Sequence, residues 1–112
     1  MKLITAIVRP GRLDEVTRAV INAGARGMTV TEVRGFGQQY GHVPDAYPAE
    51  HASLLLAKLR VDVVVRDEAA AAVMDAIAKS GQTGAIGDGK IWECTVDAAL
   101  RIRTGERDLN AV

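Results

Sequence analysis

The chain has 112 residues, the length of one compact domain, and its 14 Lys and Arg residues balance 14 Asp and Glu residues. The zero net charge lacks the basic excess typical of nucleic-acid binding, and no apolar run is long enough to span a membrane. A single cysteine, Cys94, excludes an intramolecular disulfide framework, and the N-terminus lacks a signal-peptide pattern. We therefore expect a cytoplasmic protein without nucleic-acid partners or direct membrane insertion.

The first half of the chain predicts a strand, a helix and a second strand. Lys2–Val8 is rich in Ile, Val and Leu and reads as a buried strand that ends before Pro10. Apolar residues at helical spacing predict a helix from Leu13 to Ile21, which Gly24 caps. Met28–Phe36 alternates β-branched residues and predicts the next strand.

The second half predicts the same three elements again. Leu55–Val65 has the β-branched composition of a strand. Asp67 and its neighbour open a second helix over Ala69–Lys79, because acidic residues are favoured in the first turn, and Gly81 closes it. Lys90–Val96 predicts the last strand.

The two halves also match each other in sequence. A shift of 57 residues carries Arg9 onto Arg66, Val16 onto Val73, Val20 onto Ile77, Gly24 onto Gly81 and Gly27 onto Gly84. A doubled βαβ unit predicts an α+β, ferredoxin-like fold with an antiparallel sheet and both helices on one face. The bare face of such a sheet needs a partner subunit or a ligand to cover it, and we favour self-association.

A long segment without helical or strand periodicity, Gly37–Leu54, separates the halves. Loops of this length in a small domain are usually functional. His42 and His51 lie in it with nearby carboxylates, a donor set that transition metals accept. Their spacing fixes no geometry, so solvated loop histidines are the simpler interpretation.

The glycine-rich stretch TGAIGDGK, Thr83–Lys90, is the strongest local signal of chemistry. Its glycines allow backbone N–H groups to approach an anion closely, and Lys90 adds a positive charge. The pattern nearly fits a Walker A loop, but Ile91 stands where Ser or Thr should hold Mg²⁺, and a strand follows instead of a helix. We therefore reject a P-loop NTPase and favour an anion cradle, with a simple turn as the alternative.

Two weaker signals point in the same direction. Arg101 and Arg103 share one side of an extended segment, where two guanidinium groups form a fork suited to phosphate. A solvated C-terminal stretch is the alternative. Gly35 and Gly37 at the mouth of the long loop allow close backbone approach. Nucleophilic catalysis has little support, because Cys94 lies in a predicted strand with no histidine tied to it.

Three stretches, GMTVTEVRGFG (27–37), TGAIGDGKIW (83–92) and RIRTGER (101–107), together resemble the PII nitrogen-regulatory signal-transduction family. The resemblance covers nearly the whole chain and implies a single domain over residues 1–112. It implies a compact homotrimer with nucleotide sites in the clefts between subunits. It also implies a protruding loop at about 37–54 that contacts target proteins, and a C-terminal segment at about 97–112.

The resemblance assigns ligands to individual residues. It implies that ATP or ADP binds to Thr29, Gly35, Gly37, Gln38, Val64, Gly87, Asp88, Gly89, Lys90, Arg101 and Arg103. It implies that Gln39 ligates Mg²⁺ when Mg²⁺-ATP binds together with 2-oxoglutarate. For 2-oxoglutarate itself it implies Gln39, Gly41 and Lys58.

The departures from the family pattern concentrate in the long loop. Gln38 replaces the usual arginine that touches phosphate, which predicts a weaker preference for ATP over ADP. His51 stands at the position of the modified tyrosine and Ala49 at that of the phosphorylated serine, so neither modification is expected there. We expect a non-enzymatic regulator of a transporter, such as an ammonium channel, or of an enzyme. The alternative is a regulator on the same trimer that responds to metal or another metabolite through His42 and His51.

Overall fold

The computed structural model describes residues 1–37 and 55–112, and within these ranges four strands and two helices form the fold. The elements are β1 (Lys2–Val8), α1 (Leu13–Asn22), β2 (Thr29–Gly35), β3 (Leu56–Val65), α2 (Asp67–Gly81) and β4 (Lys90–Thr95). Short 3-10 turns cover Pro10–Arg12 and Asp108–Asn110. Every predicted strand and helix is confirmed, with bounds that differ by no more than two residues.

The strands form one sheet in the order β2-β3-β1-β4, and every neighbouring pair is antiparallel. In the register, Ile4 faces Val63 of β3 and Glu93 of β4, while Val33 of β2 faces Lys58 of β3. This order and the two βαβ units confirm the predicted α+β, ferredoxin-like fold.

Both helices pack on the same face of the sheet over an aliphatic core. The core comprises Ile4, Ala6, Val8, Val16, Val20, Leu59, Val61, Val63, Val65, Ala70, Val73 and Ile77. Val16 and Val73, which the internal repeat pairs, are both fully buried. The repeat therefore reflects two helices that present equivalent apolar stripes to one sheet.

The two helices end differently, although the repeat pairs Gly24 with Gly81. Gly24 has φ +99°, and its N–H donates to the Ile21 carbonyl at 3.0 Å, while Ala25 N–H donates to the Val20 carbonyl at 3.2 Å. This pair of bonds is a Schellman motif, which confirms the predicted cap. Gly81 is instead the last residue of α2 and is buried near Val8, without a positive φ.

No helix among the described residues covers the opposite face of the sheet, which we call the helix-free face. The register places there the side chains of Leu3, Thr5, Ile7, Thr29, Thr31, Val33, Lys58, Arg60, Asp62, Val64, Lys90, Trp92 and Cys94. Near its centre, Thr5 is 1% exposed and donates to the Asp62 carboxylate at 2.7 Å. Burial raises the pKa of Asp62, but hydrogen bonds from Arg60 and Thr5 outweigh it and lower that pKa overall.

Apolar side chains on this face are partly open: Val64 is 40% exposed and Trp92 is 39% exposed. Among the helices in residues 1–37 and 55–112, none has the length and hydropathy needed to cross a bilayer.

Candidate functional site

Five of the residues implicated by the sequence fall on one surface. Thr29 and Gly35 of β2, Lys58 and Val64 of β3, and Lys90 of β4 all lie on the helix-free face. Antiparallel pairing brings them together, because directly opposed residues share a face. Gly35 and Lys90, which are 55 positions apart in sequence, thus belong to one surface.

The glycine-rich loop, Thr83–Gly89, connects α2 to β4 and folds around the carboxylate of Asp88. One oxygen of that carboxylate, Oδ2, accepts the backbone N–H groups of Thr83 and Gly84, both at 2.8 Å. The other, Oδ1, accepts Arg9 Nε–H at 2.9 Å and the Thr83 hydroxyl. The Thr83 hydroxyl and Arg9 are the main causes that hold the pKa of Asp88 far below its usual value.

Two cations hold the tip of this loop through its carbonyl oxygens. Arg9 Nη2 donates to the Ile86 carbonyl at 2.6 Å, and Lys58 Nζ donates to the Gly87 carbonyl at 2.6 Å. Lys58 is only 9% exposed. Burial is the main cause that lowers the pKa of Lys58, Arg9 adds to it, and Asp88 opposes it.

Glycine is required where the loop meets β1. Gly87 and Gly89 have φ of +106° and +99°, in the left-handed region that favours glycine. A Cβ on Gly89 would lie 1.7 Å from the Ile7 carbonyl oxygen, inside any permitted contact. The backbone of the loop therefore lies directly against β1 at Gly89.

The resemblance places Asp88 among the residues that bind the nucleotide, without assigning the contact to its side chain or to its backbone. In the structure the Asp88 carboxylate turns inward and accepts the Thr83 and Gly84 N–H groups. A negative side chain satisfies these donors because an anion is the natural occupant of consecutive N–H groups. Lys90, at the start of β4, is exposed beside this loop.

The expectation of an extended segment over Arg101 and Arg103 is wrong. Gly105 N–H donates to the Arg101 carbonyl at 2.8 Å, and Arg101 N–H donates to the Glu106 carbonyl at 2.9 Å, which closes a tight turn. Arg101 also pairs with the Glu106 carboxylate at 3.1 Å. The two arginines therefore do not form the fork that alternation along a strand would give, and Arg103 lies exposed in the turn.

Several implicated residues lie at or beyond the limit of the described chain. Gly37 is exposed and is the last residue of the first described range, 1–37. Gln38, Gln39, Gly41, His42 and His51 are outside the described residues. Within residues 1–37 and 55–112, the structure holds no group of three or more metal-binding side chains.

Arg9 is a part of the site that the sequence did not single out as functional, and Thr83 entered only as the first residue of the glycine-rich stretch. The internal repeat offered one signal, because it pairs Arg9 with Arg66. Arg66 Nη2 donates to the Leu109 carbonyl at 2.8 Å, as Arg9 does to Ile86. Each arginine follows a central strand of the sheet and donates to a backbone carbonyl of a segment later in the chain.

The chain is similar to known proteins over its full length. The family model described as "Nitrogen regulatory protein P-II" matches residues 1–106. A protein named "Nitrogen regulatory protein P-II" from Rhizobium meliloti is 49% identical over 112 residues, all of each chain. Proteins of the same name from Mesorhizobium japonicum and Synechocystis are each 46% identical, again over all of both chains.

Proposed function

Because this chain belongs to the P-II family of nitrogen regulatory signal-transduction proteins, we propose that it is an adenylate-binding regulator and not an enzyme. ATP or ADP is its ligand, and the segment between β2 and β3 contacts a target transporter or enzyme. Three subunits associate, and each nucleotide lies between two of them. The cytoplasm is its expected compartment.

The observation that carries this proposal is the meeting of the glycine-rich loop with the helix-free face. Lys58 and Lys90 lie on this face, and Arg9 reaches the loop from the end of β1. Three cations around one glycine-rich loop favour an anionic ligand. Thr29 and Val64 share the same face and supply polar and apolar contacts for a nucleoside.

The two arginines of the C-terminal turn enter the proposal in a revised form. Arg103 is exposed and carries no ion pair within the described residues, so its guanidinium is available to a ligand on a neighbouring subunit. Arg101 is partly engaged by Glu106 at 3.1 Å. We therefore assign the larger phosphate contact to Arg103.

Lys58 supports an additional acidic ligand of the 2-oxoglutarate class. Its ammonium has three donors, of which the described structure assigns one, to the Gly87 carbonyl. A carboxylate that binds beside the loop would accept a hydrogen bond from one of the other two Lys58 N–H donors. Gln39 and Gly41, outside the described residues, complete the proposed site for Mg²⁺ and this acid.

Calorimetric titration with ATP, ADP, AMP and adenosine, each with Mg²⁺ and with or without 2-oxoglutarate, tests the function. We expect ATP and ADP to bind, and ATP to tighten 2-oxoglutarate binding. The substitution Lys90→Gln should weaken ATP binding by roughly 10- to 100-fold, since hydrogen bonds to charged groups are worth about 1.5–3 kcal/mol.

Lys79→Gln is the matched control, because Lys79 is an exposed lysine on α2 whose ammonium pairs with the Asp75 carboxylate at 2.8 Å. It should leave the affinity unchanged. An equal loss in both variants, or wild-type protein that binds no adenylate, contradicts the proposal. The same titration measures the ratio of the ATP affinity to the ADP affinity. Gln38 in place of the usual arginine predicts that this ratio is low.

A further inference from the structure

The glycine-rich loop carries its own anion. The Asp88 carboxylate accepts four hydrogen bonds, from the Thr83 and Gly84 amides, the Thr83 hydroxyl and Arg9. Charge-assisted bonds of this kind are about twice as strong as neutral ones. The start of the loop is therefore closed onto its end, between residues five positions apart in sequence.

The carbonyl bonds at the loop tip determine where its amides point. The Ile86 carbonyl is directed at Arg9 and the Gly87 carbonyl at Lys58. In a trans peptide the C=O and N–H bonds point in opposite directions, and the described peptides are all trans. The N–H groups of Gly87 and Asp88 therefore point away from the two cations, on the outer side of the loop.

We propose that Asp88 and Thr83 are positioning residues, which hold the loop so that the Gly87 and Asp88 amides face the nucleotide phosphates. This proposal rests on the adenylate binding proposed above. It assigns to the Asp88 carboxylate no contact with phosphate, which it would repel, and gives the phosphate contact of this residue to its backbone N–H. Thr83 contributes through its hydroxyl and its amide, both bonded to Asp88.

The direction in which Asp88→Asn changes the ATP affinity distinguishes a positioning role of the carboxylate from mere proximity to the phosphates. Asp88→Asn removes a negative charge next to the phosphate site. If the carboxylate only lies near the phosphates, its removal strengthens ATP binding, because a repulsion is lost. If it positions the loop, its removal weakens ATP binding, because an amide side chain cannot accept the same four bonds.

The experiment compares ATP and adenosine affinities by calorimetry in the full-length wild type, Asp88→Asn, Thr83→Val and Thr83→Ser. We expect Asp88→Asn to weaken ATP binding at least tenfold and Thr83→Val about threefold or more. Adenosine affinity should change less than twofold in both, because adenosine has no phosphate. Thr83→Ser keeps the hydroxyl and should restore ATP affinity to near wild type.

Asp75→Asn, which removes an exposed carboxylate on α2, is the matched control and should have no effect on either ligand. ATP affinity that is unchanged or increased in Asp88→Asn overturns the proposal, as does an equal loss of adenosine and ATP binding.

Hydrogen exchange in the ligand-free protein separates this inference from the proposed function. The Thr83 and Gly84 amides should exchange faster in Asp88→Asn than in the wild type, while amides of β1 and β3 keep their protection. If the wild type binds no adenylate, the proposed function and the phosphate role both fail, and exchange still decides whether Asp88 fixes the loop. Unchanged exchange at both amides overturns that fixing role.

Discussion

At the scale of single residues, Gly89 has the strongest steric requirement in the glycine-rich loop. Both Gly84 and Gly89 have positive φ, so alanine at either costs about 1–2 kcal/mol. Only Gly89 also meets a backbone atom, the Ile7 carbonyl oxygen, where a Cβ would stand; at Gly84 the space is open. At Gly89 this overlap adds about 1–3 kcal/mol to the destabilisation caused by alanine.

We therefore expect Gly89→Ala to destabilise the protein clearly more than Gly84→Ala in urea unfolding. Equal midpoints for the two variants would contradict the close approach of the loop to β1.

The Asp88 carboxylate makes the stability of the fold depend on pH, and the direction of this dependence follows from its pKa. Its pKa in the folded protein lies below the usual 3.8, because Thr83 and Arg9 donate to its charged form. A carboxyl with a lowered pKa stabilises the fold above its unfolded pKa, and the contribution is lost as the pH falls through the folded value. Carboxyl-detected NMR titration should place the Asp88 midpoint below 3.8; a midpoint at or above that value contradicts the bonding described.

At the scale of elements, the two helix ends respond oppositely to the same substitution. Gly24→Ala forces an alanine to adopt φ +99° and should therefore lower the free energy of unfolding by about 1–2 kcal/mol. Gly81→Ala should be neutral or stabilise by up to about 1 kcal/mol, because it reduces the freedom of the unfolded chain. The added Cβ would lie 3.6 Å from a Val8 methyl carbon, an ordinary contact. Thermal unfolding of both variants measures the difference, and a large loss in Gly81→Ala would show that α2 has no room there.

The elements themselves could be predicted from sequence because their signals are local. Apolar spacing around Val16 and Val73 and β-branched runs in the strands locate every element to within two residues. The turn at Arg101 could not be predicted in this way, since it depends on Glu106 as a partner across the turn. The role of Arg9 was missed for a different reason, because its partner Asp88 lies 79 residues away in the chain.

At the scale of the whole molecule, the helix-free face predicts the assembly. Trp92 and Val64 are partly exposed there, and burial of such apolar surface contributes about 25 cal/mol per Å². For the trimer proposed above, light scattering should give a mass near three times the 11.9 kDa of one chain. Trp92→Arg should lower this mass, because a charge would enter the contact between subunits.

Ile21→Arg serves as the control for this substitution. Ile21 is 63% exposed on α1, on the other side of the sheet, and the variant should keep the mass of the wild type. Circular dichroism checks that both variants fold. A monomeric wild type, or an equal effect of both substitutions, contradicts association through the helix-free face.

The strand order also determines when the molecule can form during its synthesis. β1 pairs with β3 and β4, and β2 pairs with β3, so every strand pair joins the first half of the sequence to the second. A nascent chain that ends before β3 can form no part of this sheet, and its central strand β1 gains its second neighbour only when β4 emerges. Neither βαβ unit is therefore an independent folding unit, and the duplicated sequence yields one cooperative transition. Since such long-range pairing slows folding, the exposed strands of a partly made chain are where aggregation would begin.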